Sequence, residues 1–287
     1  MATGFIGLGT MGLPMANRLQ QQGFELLGWD TDPRAIASFS AGAGSLKALV
    51  SHCDVFITML PEGEHVRAVT EQLLAVGVGE NCLFIDCSTI DIGTTRDLAA
   101  ELARHGHGFV DAPVSGGREA AVNGGLSFMI GGDSDAIERA RPWLEAMGGK
   151  LNEFGAAGAG QAAKACHNMI CGITALGVCE AFALADSLDL DLERFYQLCS
   201  GAAAQSWILE NRCPIPGPAP DAPASHDYAP GFAARLMAKD LGLAQQAAAA
   251  SGQQTSFGEQ AARRFREFVE AGNGDLDFSA IYRRIRE

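Results

Sequence analysis

Lys164 is the residue with the most chemistry to explain. It lies early in a long apolar stretch rich in Ala, Leu, Ile, Val and Met, just after the glycine run Gly155, Gly158, Gly160. An ammonium is costly to bury without a partner. Asn168 follows four residues later, which on a helix places it on the same face one turn away. In a partly dry site a lysine gives up its proton more readily and can exchange protons with a substrate. The competing reading is a lysine that snorkels from a helix end. The segment by itself leaves the two readings even.

A second constellation opens the chain. Gly7-Leu8-Gly9-Thr10-Met11-Gly12 follows an apolar strand-like run and precedes a helical pattern. In that setting the glycines serve a tight turn, close approach of a pyrophosphate and close helix–strand packing. Asp30 ends the next strand-like run, 18 residues after Gly12. A carboxylate there accepts hydrogen bonds from ribose hydroxyls and repels a 2′-phosphate, which points to NAD over NADP. Arg34 is close enough to receive such a phosphate and works against that reading. Leu60, Pro61, His65 and Thr89 stand at or just after the ends of later strands and complete the expected cofactor site. A third constellation, Asp111 to Gly117, sets Ser115 before Gly116 and Gly117. A hydroxyl and bare backbone N–H groups suit a carboxylate. A plain glycine turn is the alternative.

These groups need elements to carry them. Strand and helix patterns alternate from Thr3 to Met147, which predicts right-handed βαβ units and a doubly wound, Rossmann-type parallel sheet. Strands are expected at 3–8, 26–29, 55–60, 83–86, 108–111 and 127–131. From 162 onward strand signals vanish, and helices are expected at 162–188, 192–200, 206–211, 232–251, 253–271 and 278–286. The domains are therefore 1–161, binding the dinucleotide, and 162–287, all helical. Cys213–Pro230 holds six of the eleven prolines and reads as either a linker or an ordered covering loop.

The totals exclude several classes. The 287 residues are 47% hydrophobic and 19% charged, an ordinary globular composition. Net charge is −13 and no basic cluster occurs, so nucleic acid and anionic membranes are not expected partners. Eight cysteines without a C-x-x-C pair read as free thiols in a reducing compartment. With no basic leader before the first strand, the expected location is cytoplasmic. The apolar stretch after residue 162 carries Lys164, His167, Asn168, Glu180 and Asp186, so a buried helix is expected rather than a membrane span. No metal-ligand spacing appears.

The three constellations, with Met237-Ala-Lys239-Asp240-Leu241, resemble the four signatures of the β-hydroxyacid dehydrogenases. Ser200-Gly201, Ser206-Trp207, Pro214 to Gly217 and Gly231-Phe232 resemble members acting on 3-hydroxyisobutyrate. The resemblance spans nearly the whole chain. It implies that Lys164 is the catalytic lysine and Asn168 an asparagine that helps hold substrate. It implies that Ser115, Gly116 and Gly117 grip the substrate carboxylate. Lys239 would contact substrate and cofactor, with Asp240 beside it and Phe232 nearby. The implied reaction is NAD-dependent oxidation of 3-hydroxyisobutyrate to methylmalonate semialdehyde, a step of valine degradation, by a homodimer or homotetramer. Alternatives are an NADPH-dependent reductase of tartronate semialdehyde, succinic semialdehyde or glyoxylate, and a catalytically silent nucleotide-binding protein. Departures fall at His167, where the family has a first asparagine, and at Arg118 and Glu119 after the double glycine.

Overall fold

The computed structural model describes residues 2–286. The chain divides into two compact units after Lys164. The first unit contains β1 (Ala2–Ile6), α1 (Gly12–Gln21), β2 (Leu26–Trp29), α2 (Pro33–Ala37), α3 (Leu46–Val50), β3 (Cys53–Thr58), α4 (Gly63–Val76), β4 (Leu83–Asp86) and α5 (Ile92–Arg104). It continues with β5 (Gly108–Asp111), β6 (Val114–Ser115), α6 (Gly117–Asn123), β7 (Leu126–Gly132), α7 (Ser134–Met147) and β8 (Gly148–Gly155).

The sheet order is β2-β1-β3-β4-β5-β7-β6, with β8 paired to β7. The first five strands are mutually parallel, as expected for a doubly wound sheet. β7 then runs antiparallel to β5 and to β6. Successive strand residues alternate between two cores. Phe5, Ile57, Ile85 and Val110 pack with α1 and α7, while Ile6, Phe56 and Phe84 pack with α4 and α5. Asp32, Ser45 and Asp91 start α2, α3 and α5 by accepting backbone N–H groups on their side chains.

Four elements differ from expectation. α3, α6, β6 and β8 carry no clear sequence signal. β8 is almost wholly exposed and polar, so no alternation marks it. Ser115 to Gly117 is a strand-to-helix turn: Ser115 ends β6, and Gly116, at φ 131°, precedes α6. A Cβ on Gly116 would meet Ala120 Cβ at 2.6 Å, so glycine is required there.

The remaining helices are α8 (Ala159–Ser187), α9 (Leu192–Ser200), α10 (Trp207–Asn211), α11 (Ala234–Ser251), α12 (Ser256–Phe268) and α13 (Ile281–Arg286). The second unit has its own core, built on Phe182, Met237, Leu241, Phe265, Phe268 and Phe278. The proline-rich stretch is ordered: Cys213, Ile215, Ala219, Ala222 and Tyr228 are buried in that core. It is a covering loop, because its alternate small apolar residues find a surface to bury against. At Phe268 α12 passes into a π-helical turn over Val269–Asn273, and Gly272 at φ 89° breaks the helix just past the expected end at 271.

α8 departs from the expected buried helix. By length and composition it could cross a membrane, yet only 33% of its most apolar window is buried. Ile170 and Leu184 along it, and Leu188 just past its end, are each at least 60% exposed. Small residues such as Gly172 and Ala175 let one side pack closely, and the larger aliphatic residues are left outside.

Candidate active site

The glycine loop after β1 is shaped by hard contacts. A Cβ on Gly12 would lie 1.8 Å from the Gly7 carbonyl oxygen, so α1 can start here only with glycine. Gly9 is different: its Cβ would meet nothing within 4 Å. No protein packing explains the missing side chain at Gly9, which leaves room for a ligand to approach the backbone. The N-terminus of α1 has no side-chain cap and no acidic residue in its first turn. The Leu13 N–H is taken by the Gly9 carbonyl oxygen at 3.1 Å, so it is the dipole and the loop backbone ahead of Leu13 that an anion would meet. These features fit a dinucleotide pyrophosphate.

Asp30 is half-buried just after β2. Its Oδ2 accepts the Leu8 N–H at 2.7 Å and its Oδ1 accepts the Asp32 N–H at 2.9 Å. It therefore holds the glycine loop as well as standing where a ribose would be read. Arg34 does not reach out as a free cation. Its guanidinium forks onto Asp32, at 3.2 and 3.0 Å. The ends of β3 and β4 are joined where Leu60 N–H donates to Ser88 Oγ at 2.9 Å. Pro61 and His65 are exposed beyond that junction, and Thr89 is half-buried in it.

Lys164 is buried, at 6% exposure. Its Nζ donates to the Val114 carbonyl oxygen at 2.8 Å. Val114 immediately precedes Ser115, so the structure brings the lysine onto the strand that leads into the serine–glycine turn. The snorkelling reading is excluded by this burial. The first turn of α8 is fixed by Asp111, whose carboxylate accepts Gly158 N–H at 2.7 Å and Gln161 N–H at 2.9 Å. Gly160 permits the approach: a Cβ there would lie 2.3 Å from Met129 O and 2.8 Å from Asp111 Oδ2. The glycine run before Lys164 is thus a docking surface for the helix end. Sequence reasoning assigned no role to Asp111 or Gln161. Gln161 stands beside the glycine run at a helix start, whereas Asp111 lies 50 residues earlier and is brought to it only by the fold.

Burial pushes the Asp111 carboxyl up to about 6, against the pull of the Gly158 and Gln161 N–H groups and with added repulsion from Asp86. The folded value lies above the ordinary 3.8. Its contribution to stability is therefore complete below pH 3.8 and is lost as pH rises through about 6. Relative to Asp111→Asn, the wild type should gain about 1.5 kcal/mol of unfolding free energy between pH 7.5 and pH 5. Urea denaturation of both proteins at the two pH values checks this, and a constant difference contradicts it.

The second unit holds the other predicted residues. Asn168 and Asp240 are buried, and the Asn168 amide nitrogen makes a short hydrogen bond to Asp240 Oδ2. Asp240 Oδ1 lies 3.4 Å from Lys239 Nζ. With its nitrogen on Asp240, the Asn168 amide turns its oxygen to His167 Nδ1 at 2.8 Å. In that arrangement Nδ1 carries the hydrogen. His167, the departure from the family pattern, thus supports Asn168 rather than replacing it. Phe232 packs apart from this trio, edge-on to Phe278 at 6.1 Å, with its N–H held by Asp277 Oδ2 at 3.0 Å. Among the described residues no group of His, Cys, Asp and Glu could hold a metal ion, and all eight cysteines are free.

The chain is similar to known proteins along nearly its whole length. Residues 2–157 match the family model described as the NAD binding domain of 6-phosphogluconate dehydrogenase. Residues 158–285 match that described as NAD-binding of NADP-dependent 3-hydroxyisobutyrate dehydrogenase. The solved structure of a Mycobacterium tuberculosis 3-hydroxyisobutyrate dehydrogenase with L-serine is 43% identical. It covers 100% of this chain and 99% of that chain, with a TM-score of 0.94. The NAD-dependent L-serine dehydrogenase of Pseudomonas aeruginosa is 40% identical over 96% of this chain and 95% of its own length. The human mitochondrial 3-hydroxyisobutyrate dehydrogenase is 38% identical over 99% of this chain and 86% of its own. A glycine loop open to a dinucleotide, a buried lysine beside a serine–glycine turn and this full-length similarity together make the chain a member of the 3-hydroxyisobutyrate dehydrogenase family, NAD(P)-dependent oxidoreductases acting on a CH–OH group.

Proposed function

We propose that this enzyme oxidises a small β-hydroxy carboxylate with NAD⁺, and that 3-hydroxyisobutyrate, giving methylmalonate semialdehyde in valine degradation, is its substrate. The observation that carries the reading is the buried Lys164 Nζ held on the Val114 carbonyl, one residue before Ser115. When bound, NAD⁺ accepts the hydride from the carbinol carbon. Ser115 and the N–H groups of Gly116 and Gly117 hold the substrate carboxylate. Neutral Lys164 takes the hydroxyl proton as the carbonyl forms, and returns it in the reverse direction. Asn168 and Lys239 add polar contacts to the substrate, and Asp240 orients both through its hydrogen bond and ion pair.

L-Serine is the second reading. It is also a β-hydroxy carboxylate, and two of the similar proteins named above are described with it. A steady-state panel separates the substrates: 3-hydroxyisobutyrate, L-serine, glycerate and 4-hydroxybutyrate, each with NAD⁺ and NADP⁺. The highest kcat/KM on L-serine overturns the first assignment. No turnover on any member, with NADH still bound, leaves a nucleotide-binding protein instead.

NAD⁺ is favoured over NADP⁺ because Asp30 faces the ribose position and Arg34 is already engaged by Asp32. Loss of a charged hydrogen bond costs about 1.5–3 kcal/mol. Asp30→Ala should accordingly lower kcat/KM for NAD⁺ by about 10–100-fold and narrow the preference over NADP⁺. An unchanged NAD⁺ to NADP⁺ ratio contradicts the assignment. The exposed aliphatic face of α8 is proposed to meet a second copy of the chain in a homodimer or homotetramer. Light scattering at the monomer mass excludes this.

A further inference from the structure

Gln161 is a fully buried amide at 2% exposure, in the first turn of α8. Its side chain makes two hydrogen bonds to one short segment. Nε2 donates to the Ser88 carbonyl oxygen at 2.8 Å, and Oε1 accepts the Ile90 N–H at 3.2 Å. The two bonds straddle Thr89. Ser88 is itself tied to both neighbouring strand ends, through its Oγ to Leu60 N–H and through its N–H to Asp86 Oδ1 at 3.1 Å. Asp86 in turn holds Thr58 Oγ1 at 2.7 Å. The Gln161 backbone N–H is meanwhile held by Asp111. Gln161 and Lys164 are three residues apart, so they lie on one helical face.

We infer that Gln161 is a positioning residue, whose amide locks the Ser88–Ile90 segment to the helix turn that carries Lys164. The chemistry requires a side chain that donates and accepts at once, at fixed spacing, and a carboxamide is such a group. Leu60 and Thr89 belong to the expected cofactor site, and Lys164 to the proton-transfer site. Gln161 is the covalent and hydrogen-bonded link between the two within the first unit. A displacement of about 1 Å between reacting groups can lower a rate about 10²-fold. The inference rests on the reading of Lys164 as the proton acceptor.

The test compares wild type, Lys164→Ala, Gln161→Leu and Gln161→Glu. For each, kcat and KM are measured on the best panel substrate, protiated and deuterated at the carbinol carbon. NADH binding is followed by fluorescence and Ile90 amide exchange by NMR. Gln161→Leu should speed Ile90 exchange at least about tenfold and lower kcat about 10–100-fold. KM and the NADH dissociation constant should stay within about threefold, and the isotope effect on kcat should rise as hydride transfer limits turnover. Gln161→Glu keeps the acceptor and loses the donor when ionised. Its activity relative to wild type should recover as pH falls and the protonated carboxyl regains a donor. Asp86, Asp111 and Lys164 stand nearby in both proteins, so the ratio to wild type is the quantity read. Should Gln161→Leu fail to fold, the pH ratio of Gln161→Glu decides by itself, and a flat ratio overturns the inference. Normal kcat in Gln161→Leu also overturns it, as does a kcat loss without faster Ile90 exchange. Near-normal turnover in Lys164→Ala overturns the lysine reading beneath it. An inactive Lys164→Ala beside a fully active Gln161→Leu removes only the positioning role.

Discussion

Replacing Lys164 by alanine should lower kcat about 10²–10⁴-fold, the span expected for loss of a positioned general acid–base. The Nζ atom is buried and fixed on the Val114 carbonyl. NADH binding should persist, because the glycine loop, Asp30 and Thr89 all lie on other elements. Small primary amines added to the variant should restore part of the rate if the lost group is a base. Turnover within about tenfold of wild type would refute the assignment.

The glycine loop gives the second large effect, and its two glycines should fail in different ways. Gly12→Val places a side chain where even a Cβ would lie 1.8 Å from a backbone oxygen. The turn must shift, so stability should fall by about 1–3 kcal/mol and NADH binding should be lost. Gly9→Ala adds a methyl into open space. Its unfolding free energy should stay within about 0.5 kcal/mol of wild type, yet KM for NAD⁺ should rise at least about tenfold as the pyrophosphate is pushed off the backbone. Calorimetry with fluorescence titration of NADH separates the two. Equal NADH affinity in Gly9→Ala and wild type would deny the loop its ligand.

Both variants depend on elements that local patterns already mark. The first five strands read clearly because each is a short apolar run bounded by turn residues. The helices of the second unit read clearly because they are long and periodic. β8 and α6 did not, since one is a polar edge strand and the other a short helix that opens on glycine. The starts of α11 and α12 lie two and three residues later than the pattern predicts, and Phe232 is drawn from α11 by Asp277, 45 residues away.

The site was legible by type and not by arrangement. Spacing identified Gly7 to Gly12, Asp30, Ser115 to Gly117, Lys164 and Asn168, because turns and helix faces impose fixed intervals, whereas Lys239 was implied only by the family resemblance. What the sequence by itself determined was the inventory: a dinucleotide loop, a lysine on an apolar helix and the order of the elements that carry them. Tertiary structure alone decided that Lys164 is buried on the Val114 carbonyl rather than snorkelling. It also decided that Asp111 and Gln161 clamp the helix beneath Lys164, across 50 and 73 residues of chain, and that α8 leaves an apolar face exposed. Local propensity acts over a few residues. A buried carboxylate or amide is paired by whatever distant backbone the fold brings to it, and that partner is not written beside it in the chain.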